Sequence, residues 1–281
     1  MANIEDIRLN DVIPEQLHHL SAGQYSMIPN STCGQGGPLV LNQPYRLVEG
    51  RLMIVLQGCI RATSNLLEYT LHTGDTLLLP PSCIIELLEM SSDSRVQILS
   101  YSDDTFPVKN HEVICITPTS DERAEIDTLV NLVWRNLNRQ PAPVSVITPL
   151  FQALQSFIIA IHEHNQSKHI STDESRQQVL FHRFLQLVGE HCTHERSLAY
   201  YASLLCITPH YLSTMVKKVS GTNGTTWITR AVCLEAKIRL RHSDQLVSQI
   251  SDDLNFPNPA FFNKYFKREV GMTPGEYRSK E

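Results

Sequence analysis

Residues 208–221 and 258–271 write one structural phrase twice, TPHYLSTMVKKVSG and NPAFFNKYFKREVG, fifty residues apart. At that offset Thr208 matches Asn258, Pro209 matches Pro259, Tyr211 matches Phe261, Lys217 matches Lys267 and Gly221 matches Gly271. Each copy opens on a side-chain oxygen able to accept from the free N–H groups of a helix start. Proline follows at the first helical position, where its missing N–H costs nothing. Apolar residues then recur at helical spacing: Leu212, Met215, Val216 and Val219 in the first copy, Phe262, Tyr265 and Phe266 in the second. Glycine at the far end suits a left-handed cap. The phrase predicts two helices of about three turns each.

A short helix is expected before each copy, with Ser197 capping LAYYASLL and Ser248 capping QISDDL. The turns between are Cys206-Ile207 and Asn255-Phe256-Pro257, and Asn255 is a residue type that tolerates the positive φ of a tight helix-to-helix corner. Two helix-turn-helix units result, each with a second helix suited to a DNA major groove. TTWITRAVCLEAKIRLRHSD joins them as a long amphipathic helix, with Trp227, Ile228, Ala231, Val232, Ala236 and Leu240 on its buried side.

This arrangement, with YLS followed by KK and Gly221, then NFPN-x-x-FFNKYFK-x-x-x-G-x-TP-x-x-YR, resembles the AraC/XylS family of transcription regulators over about 197–281. The resemblance implies double-stranded DNA as partner, RNA polymerase as a further one, a homodimer, a cytoplasmic setting and no catalysis. Family members often carry Arg where this chain has Thr214, Gly where it has Asn255 and Arg where it has Val232. The Thr214 difference bears on one guanine contact and leaves the fold untouched.

Charge agrees once it is divided. The formal net charge is −5, but residues 197–281 hold 11 Lys/Arg against 7 Asp/Glu, and residues 1–196 hold 13 against 22. The C-terminal part alone is basic, which suits phosphate neutralisation by a local surface. Seven cysteines, Cys33, Cys59, Cys83, Cys115, Cys192, Cys206 and Cys233, lie far apart without a C-x-x-C pair and read as reduced thiols. No secretory leader is read at the N-terminus, and no apolar run reaches bilayer-spanning length, so membrane association is not expected.

The chain of 281 residues is read as α+β: a cupin-like β-barrel or jelly roll over 1–118, a helical linker and dimerisation region over 119–195, and an all-α double helix-turn-helix domain over 196–281. His18-His19 and the Gly-rich turn CGQGGP of 33–38 are assigned no chemistry. Residues 47–101 alternate short apolar runs with turn residues, as an antiparallel sandwich or barrel would, and HEVICIT (111–117) adds a further strand. The phrase from His72 to Pro81 resembles the TGD turn of cupin-type barrels, the sensor domain common in this regulator family. His72 has no His-x-His or Glu partner, so no metal and no cofactor is expected, and the barrel is read as a pocket for a small-molecule effector. Helices are expected at 121–137, at about 149–164, and from about Thr172 with Val179, Leu180, Phe184, Leu187 and Val188, their apolar stripes buried either across a dimer or against the barrel of the same chain. His162, His164 and His169, like His191, Cys192 and His194, are read as helix-end residues without common ligation.

Position on the two predicted recognition helices selects the base and phosphate contacts: His210, Ser213, Thr214 and Lys217 in the first unit, and Asn258, Asn263, Lys264 and Lys267 in the second. Asn suits adenine, Lys suits guanine or phosphate, and hydroxyls suit either. Two alternatives stand beside this reading. A metal-dependent cupin enzyme with an appended DNA-binding domain would need a ligand cluster, and a DNA-repair methyltransferase would need grouped zinc-binding cysteines.

Overall fold

The computed structural model describes residues 20–22, 25–32, 41–101, 113–167 and 173–279. His18-His19, the 33–38 turn, His169 and the first two residues of HEVICIT lie outside them. The chain divides into two compact units, one within 7–169 and one within 170–281.

The first unit contains ten strands among the described residues: β1 Leu20–Ala22, β2 Tyr25–Thr32, β3 Pro44–Arg46, β4 Gly50–Gln57, β5 Cys59–Ser64, β6 Leu67–His72, β7 Thr76–Leu79, β8 Ile84–Met90, β9 Arg95–Tyr101 and β10 Ile114–Ile116. They form two antiparallel sheets, in the orders β1-β2-β9-β4-β7-β10 and β3-β8-β5-β6. The continuous apolar run of β4 follows from its place in the middle. Met53 and Val55 enter the core shared with Ile60, Leu71, Ile85 and Leu87 of the smaller sheet, while Leu52 and Ile54 face a second core on the opposite side. A strand covered on both faces has no polar positions to alternate with.

That second core is closed by α1 (Ser120–Leu137) and α2 (Val144–Ser167). Thr119 and Glu122 form a reciprocal capping box at the start of α1, with the Thr119 N–H donating to Glu122 Oε2 at 2.8 Å. Helix α2 begins five residues earlier than the Pro149 signal suggests. The extra turn places the fully buried Ile147 one turn before Phe151, and the stripe continues through Leu154, Ile158 and Ile161. Its apolar character also corrects the expectation that no segment reaches spanning length. Val144–Gln166 meets that test by length and composition, although its buried stripe lies in the core closed on the six-stranded sheet.

The TGD turn is held by its carboxylate. Asp75 accepts from the His72 N–H at 2.7 Å through Oδ2 and from the Thr117 hydroxyl at 2.7 Å through Oδ1, while Gly74 sits at φ 100°. Arg123 of α1 donates to the Gly74 carbonyl at 3.0 Å, tying helix to turn. His72 is exposed, and no group of three or more His, Cys, Asp or Glu positioned for a metal occurs among the described residues.

The second unit is all helical: α3 Asp173–His191, α4 Leu198–Leu204, α5 Pro209–Ser220, α6 Gly224–His242, α7 Val247–Asp253, α8 Pro259–Val270 and α9 Pro274–Ser279. Helix α6 is its axle, packing against α3, α5, α7, α8 and α9. All six positions expected on its inner side are buried, and Cys233, Glu235 and Ile238 join them. Glu235 is tolerated there because Arg239 bonds it at 3.0 Å and reaches on to Asp253 of α7 at 3.0 Å. On α3, Phe184, Leu187 and Val188 are buried, but Val179 is 56% exposed and Phe181 and Leu185 complete the inner stripe. Phe184 meets Tyr201 of α4 edge-on at 5.8 Å, so α3 packs as part of this unit.

Candidate nucleic-acid interface

The two copies of the sequence phrase fold alike. Thr208 Oγ1 accepts from the Tyr211 N–H at 3.2 Å, and Asn258 Oδ1 accepts from the Phe261 N–H at 2.8 Å. At the far ends Gly221 (φ 69°) and Gly271 (φ 87°) take the left-handed conformation, and their N–H groups donate to the carbonyls of Lys217 and Lys267 at 2.9 Å each.

The preceding turns are also one motif. In the first, the N–H groups of Cys206 and Ile207 donate to Ser203 and Ala202. In the second, those of Asn255 and Phe256 donate to Asp252 and Ser251, all at 2.9–3.1 Å. These are the paired bonds of a Schellman turn, and both Cys206 and Asn255 sit at φ 55°. The positive φ at Asn255 was legible, whereas that at Cys206 was not. The start of α7 also departs from expectation. Its cap is Leu246, whose N–H donates to Gln249 Oε1 at 2.8 Å, and Ser248 lies inside the helix.

Helical geometry then sorts the surface. Leu212, Met215 and Val216 of α5 are buried, and so are Phe262 and Phe266 of α8. His210, Thr214 and Lys217 are exposed, and they project from one sector about 60° wide at 3.6 residues per turn. The equivalent sector of α8 carries Ala260, Lys264 and Lys267, all exposed. Asn258 and Asn263 are exposed, and Ser213 is half-buried at the flank. Two expected contact residues are partly committed. The Thr214 hydroxyl donates to the His210 carbonyl at 3.0 Å, which leaves its oxygen to act as an acceptor toward any further partner. Asn258 uses its Oδ1 as the helix cap, leaving Asn263 better suited to a two-bond contact with adenine.

Several exposed groups escaped the sequence reading. Tyr211 and Phe261, at matching positions, are 45% and 55% exposed. Ala260 presents a methyl group where α5 presents His210. Aromatic residues read as core from sequence, and only their common place one step off the buried stripe signals otherwise.

Residues 201–280 match the family model described as a helix-turn-helix domain. Over 94 residues the chain is 30% identical to the regulatory protein PocR of Salmonella typhimurium, covering 34% of this chain and 31% of PocR. Residues 201–280 thus carry a helix-turn-helix domain of the AraC type. The match thus spans less than a third of PocR. A longer match, 22% identical and covering 82% of each chain, is to YpdC of Escherichia coli, described as an uncharacterized HTH-type transcriptional regulator. Among solved structures, ToxT from Vibrio cholerae is similar at 15% identity, over 92% of this chain and 94% of ToxT, with a TM-score of 0.39.

One consequence of the first turn's geometry is chemical. Cys206 is exposed at the first corner, whereas burial pushes Cys83 and Cys233 up to about 12 and Cys115 up to about 11. The thiolate is the reactive form, and a group at about 12 is ionised to only about one part in ten thousand at pH 8. Iodoacetamide at pH 8 is expected to modify Cys206 at least tenfold faster than Cys83, Cys115 or Cys233, as read by peptide mass mapping. Equal rates would show that these buried sites open readily.

Proposed function

We propose that this chain is a sequence-specific transcription regulator that reads a bipartite DNA site with α5 and α8. The observation that carries the reading is the duplication itself: two helices with a side-chain cap at the same position, the same preceding turn and a lysine-bearing sector turned outward at matching positions. His210, Ser213, Thr214, Asn263 and Lys264 are assigned to base edges, and Lys217, Lys267 and the Asn258 amide to phosphate or base. Side chains on one rigid unit reach successive major-groove faces about one helical turn, roughly 34 Å, apart. The described part of the N-terminal unit, two antiparallel sheets around an apolar core, is read as a cupin-like sensor domain that takes a small-molecule effector. The chain acts as a cytoplasmic homodimer and recruits RNA polymerase.

Selection from a random DNA library by the full-length protein tests the core of this reading. A two-part consensus is expected, with Ser213→Ala relaxing one half and Lys264→Ala relaxing the other by about tenfold in base preference. Enrichment by the compact unit 170–281, where the full chain enriches nothing, would assign an inhibitory role to the N-terminal part. If neither the full chain nor that fragment enriches a sequence, the duplicated helices serve another partner and the regulator reading is lost.

A further inference from the structure

The segment between α3 and α4 touches both helix-turn-helix units. Tyr201 of α4 donates its hydroxyl to the Glu195 carbonyl at 2.7 Å, anchoring the segment to the first unit. Arg196 reaches the second. Its guanidinium donates to the Asn255 carbonyl at 3.1 Å and to the Leu254 carbonyl, and it stacks over the Phe256 ring at 4.0 Å. The contact is returned, because Asn255 Nδ2 donates to the His194 carbonyl at 3.1 Å.

Each part of this clasp has a physical reason. Leu254 and Asn255 follow the last turn of α7, where carbonyls lack helical partners and a cation is favoured by the helix dipole. The planar guanidinium meets two carbonyls and an aromatic face at once, which an ammonium group cannot do. Burial lowers the pKa of Arg196 from its ordinary value, yet arginine keeps its charge at neutral pH. Phe256 passes the contact on: its ring lies 5.1 Å from both Phe262 and Tyr265 and 6.4 Å from Phe261 of α8. The residue that holds the turn therefore also bears on the ring that seats the second recognition helix.

We propose that Arg196 is a positioning residue for DNA reading, fixing α8 against the α3–α4 segment so that both recognition helices engage their half-sites together. The inference rests on the bipartite reading above. It assigns Arg196 no contact with DNA. Its loss should uncouple the second half-site while leaving the first intact.

The experiment measures affinity of full-length protein for three DNA duplexes carrying the selected site: intact, first half scrambled, second half scrambled. Scrambling either half should cost the wild-type protein roughly 100-fold, since each mismatched pair costs about tenfold or more. For Arg196→Ala the cost of scrambling the second half should fall below about fivefold, with the first-half cost retained. Arg196→Lys keeps the charge without the fork and should lie between the two. Asn255→Gly keeps the turn's left-handed conformation and removes only the return bond, so its effect should be the smallest.

If Arg196→Ala keeps the wild-type dependence on the second half, or loses both halves in proportion, Arg196 supports the fold generally and the proposal fails. Should Arg196→Ala not fold, Arg196→Lys decides by the same comparison. If the wild-type protein shows no dependence on either half, the bipartite reading itself fails first, which is a separate result.

Discussion

Phe262→Ala is expected to destabilise the C-terminal unit by roughly 3–5 kcal/mol and to abolish selective DNA binding at ordinary temperatures. Phe262 is fully buried on α8, with Phe256 on one side at 5.1 Å and Phe266 on the other at 5.8 Å, and Phe266 continues the contact to Tyr277 of α9 at 5.6 Å. Truncation removes the ring and leaves a cavity in a chain of aromatic contacts that has few small side chains to collapse into it. A single domain has about 5–15 kcal/mol in all, so the loss is a large share. The chain has two tryptophans, Trp134 in α1 and Trp227 in α6, one in each unit. In a Trp134→Phe background, Trp227 fluorescence during urea unfolding reports the C-terminal unit alone. A midpoint shift of roughly 2 M is expected. A shift below about 0.5 M would mean that α8 is seated by something other than its buried aromatic row.

The C-terminal unit was legible where its structure is set by neighbours in sequence. Thr208, Pro209 and Gly221, like Asn258, Pro259 and Gly271, act within one helical turn of themselves, so caps and ends follow from residue type. The buried side of α6 followed from periodicity for the same reason. Cys206 was not legible because its positive φ is imposed by two backbone hydrogen bonds of the turn against the preference of a cysteine side chain. Pro149 misled in the opposite sense. It reads as a first-turn residue, yet α2 accepts it inside, losing one backbone bond while Ile147 gains a fully buried place. The outward positions of α5 and α8 were recoverable from a period of 3.6, and that period also sets Tyr211 and Phe261 one step off the buried stripe, although their aromatic character points the other way. The Arg196 clasp was out of reach altogether: its partners lie 58 and 59 residues along the chain.

The largest effect in the N-terminal unit is expected at Phe151. Its ring lies 5.2 Å from Tyr25 of β2 and 5.3 Å from Tyr101 of β9, and it is 1% exposed. Its ring meets both strands, and the Tyr101 hydroxyl is already fixed to the Leu79 carbonyl at 2.8 Å, so that tyrosine cannot swing into a vacated space without losing a buried hydrogen bond. Phe151→Ala should cost roughly 3–5 kcal/mol, whereas Phe151→Leu, which keeps most of the volume, should cost about 1.5 kcal/mol or less. Trp134 fluorescence in a Trp227→Phe background reads both variants. If alanine and leucine shift the midpoint equally, the aromatic contacts rather than the filled volume hold α2 to the sheet. If neither shifts it, the helix layer does not govern unfolding of this unit, and the two sheets with their shared core carry its stability.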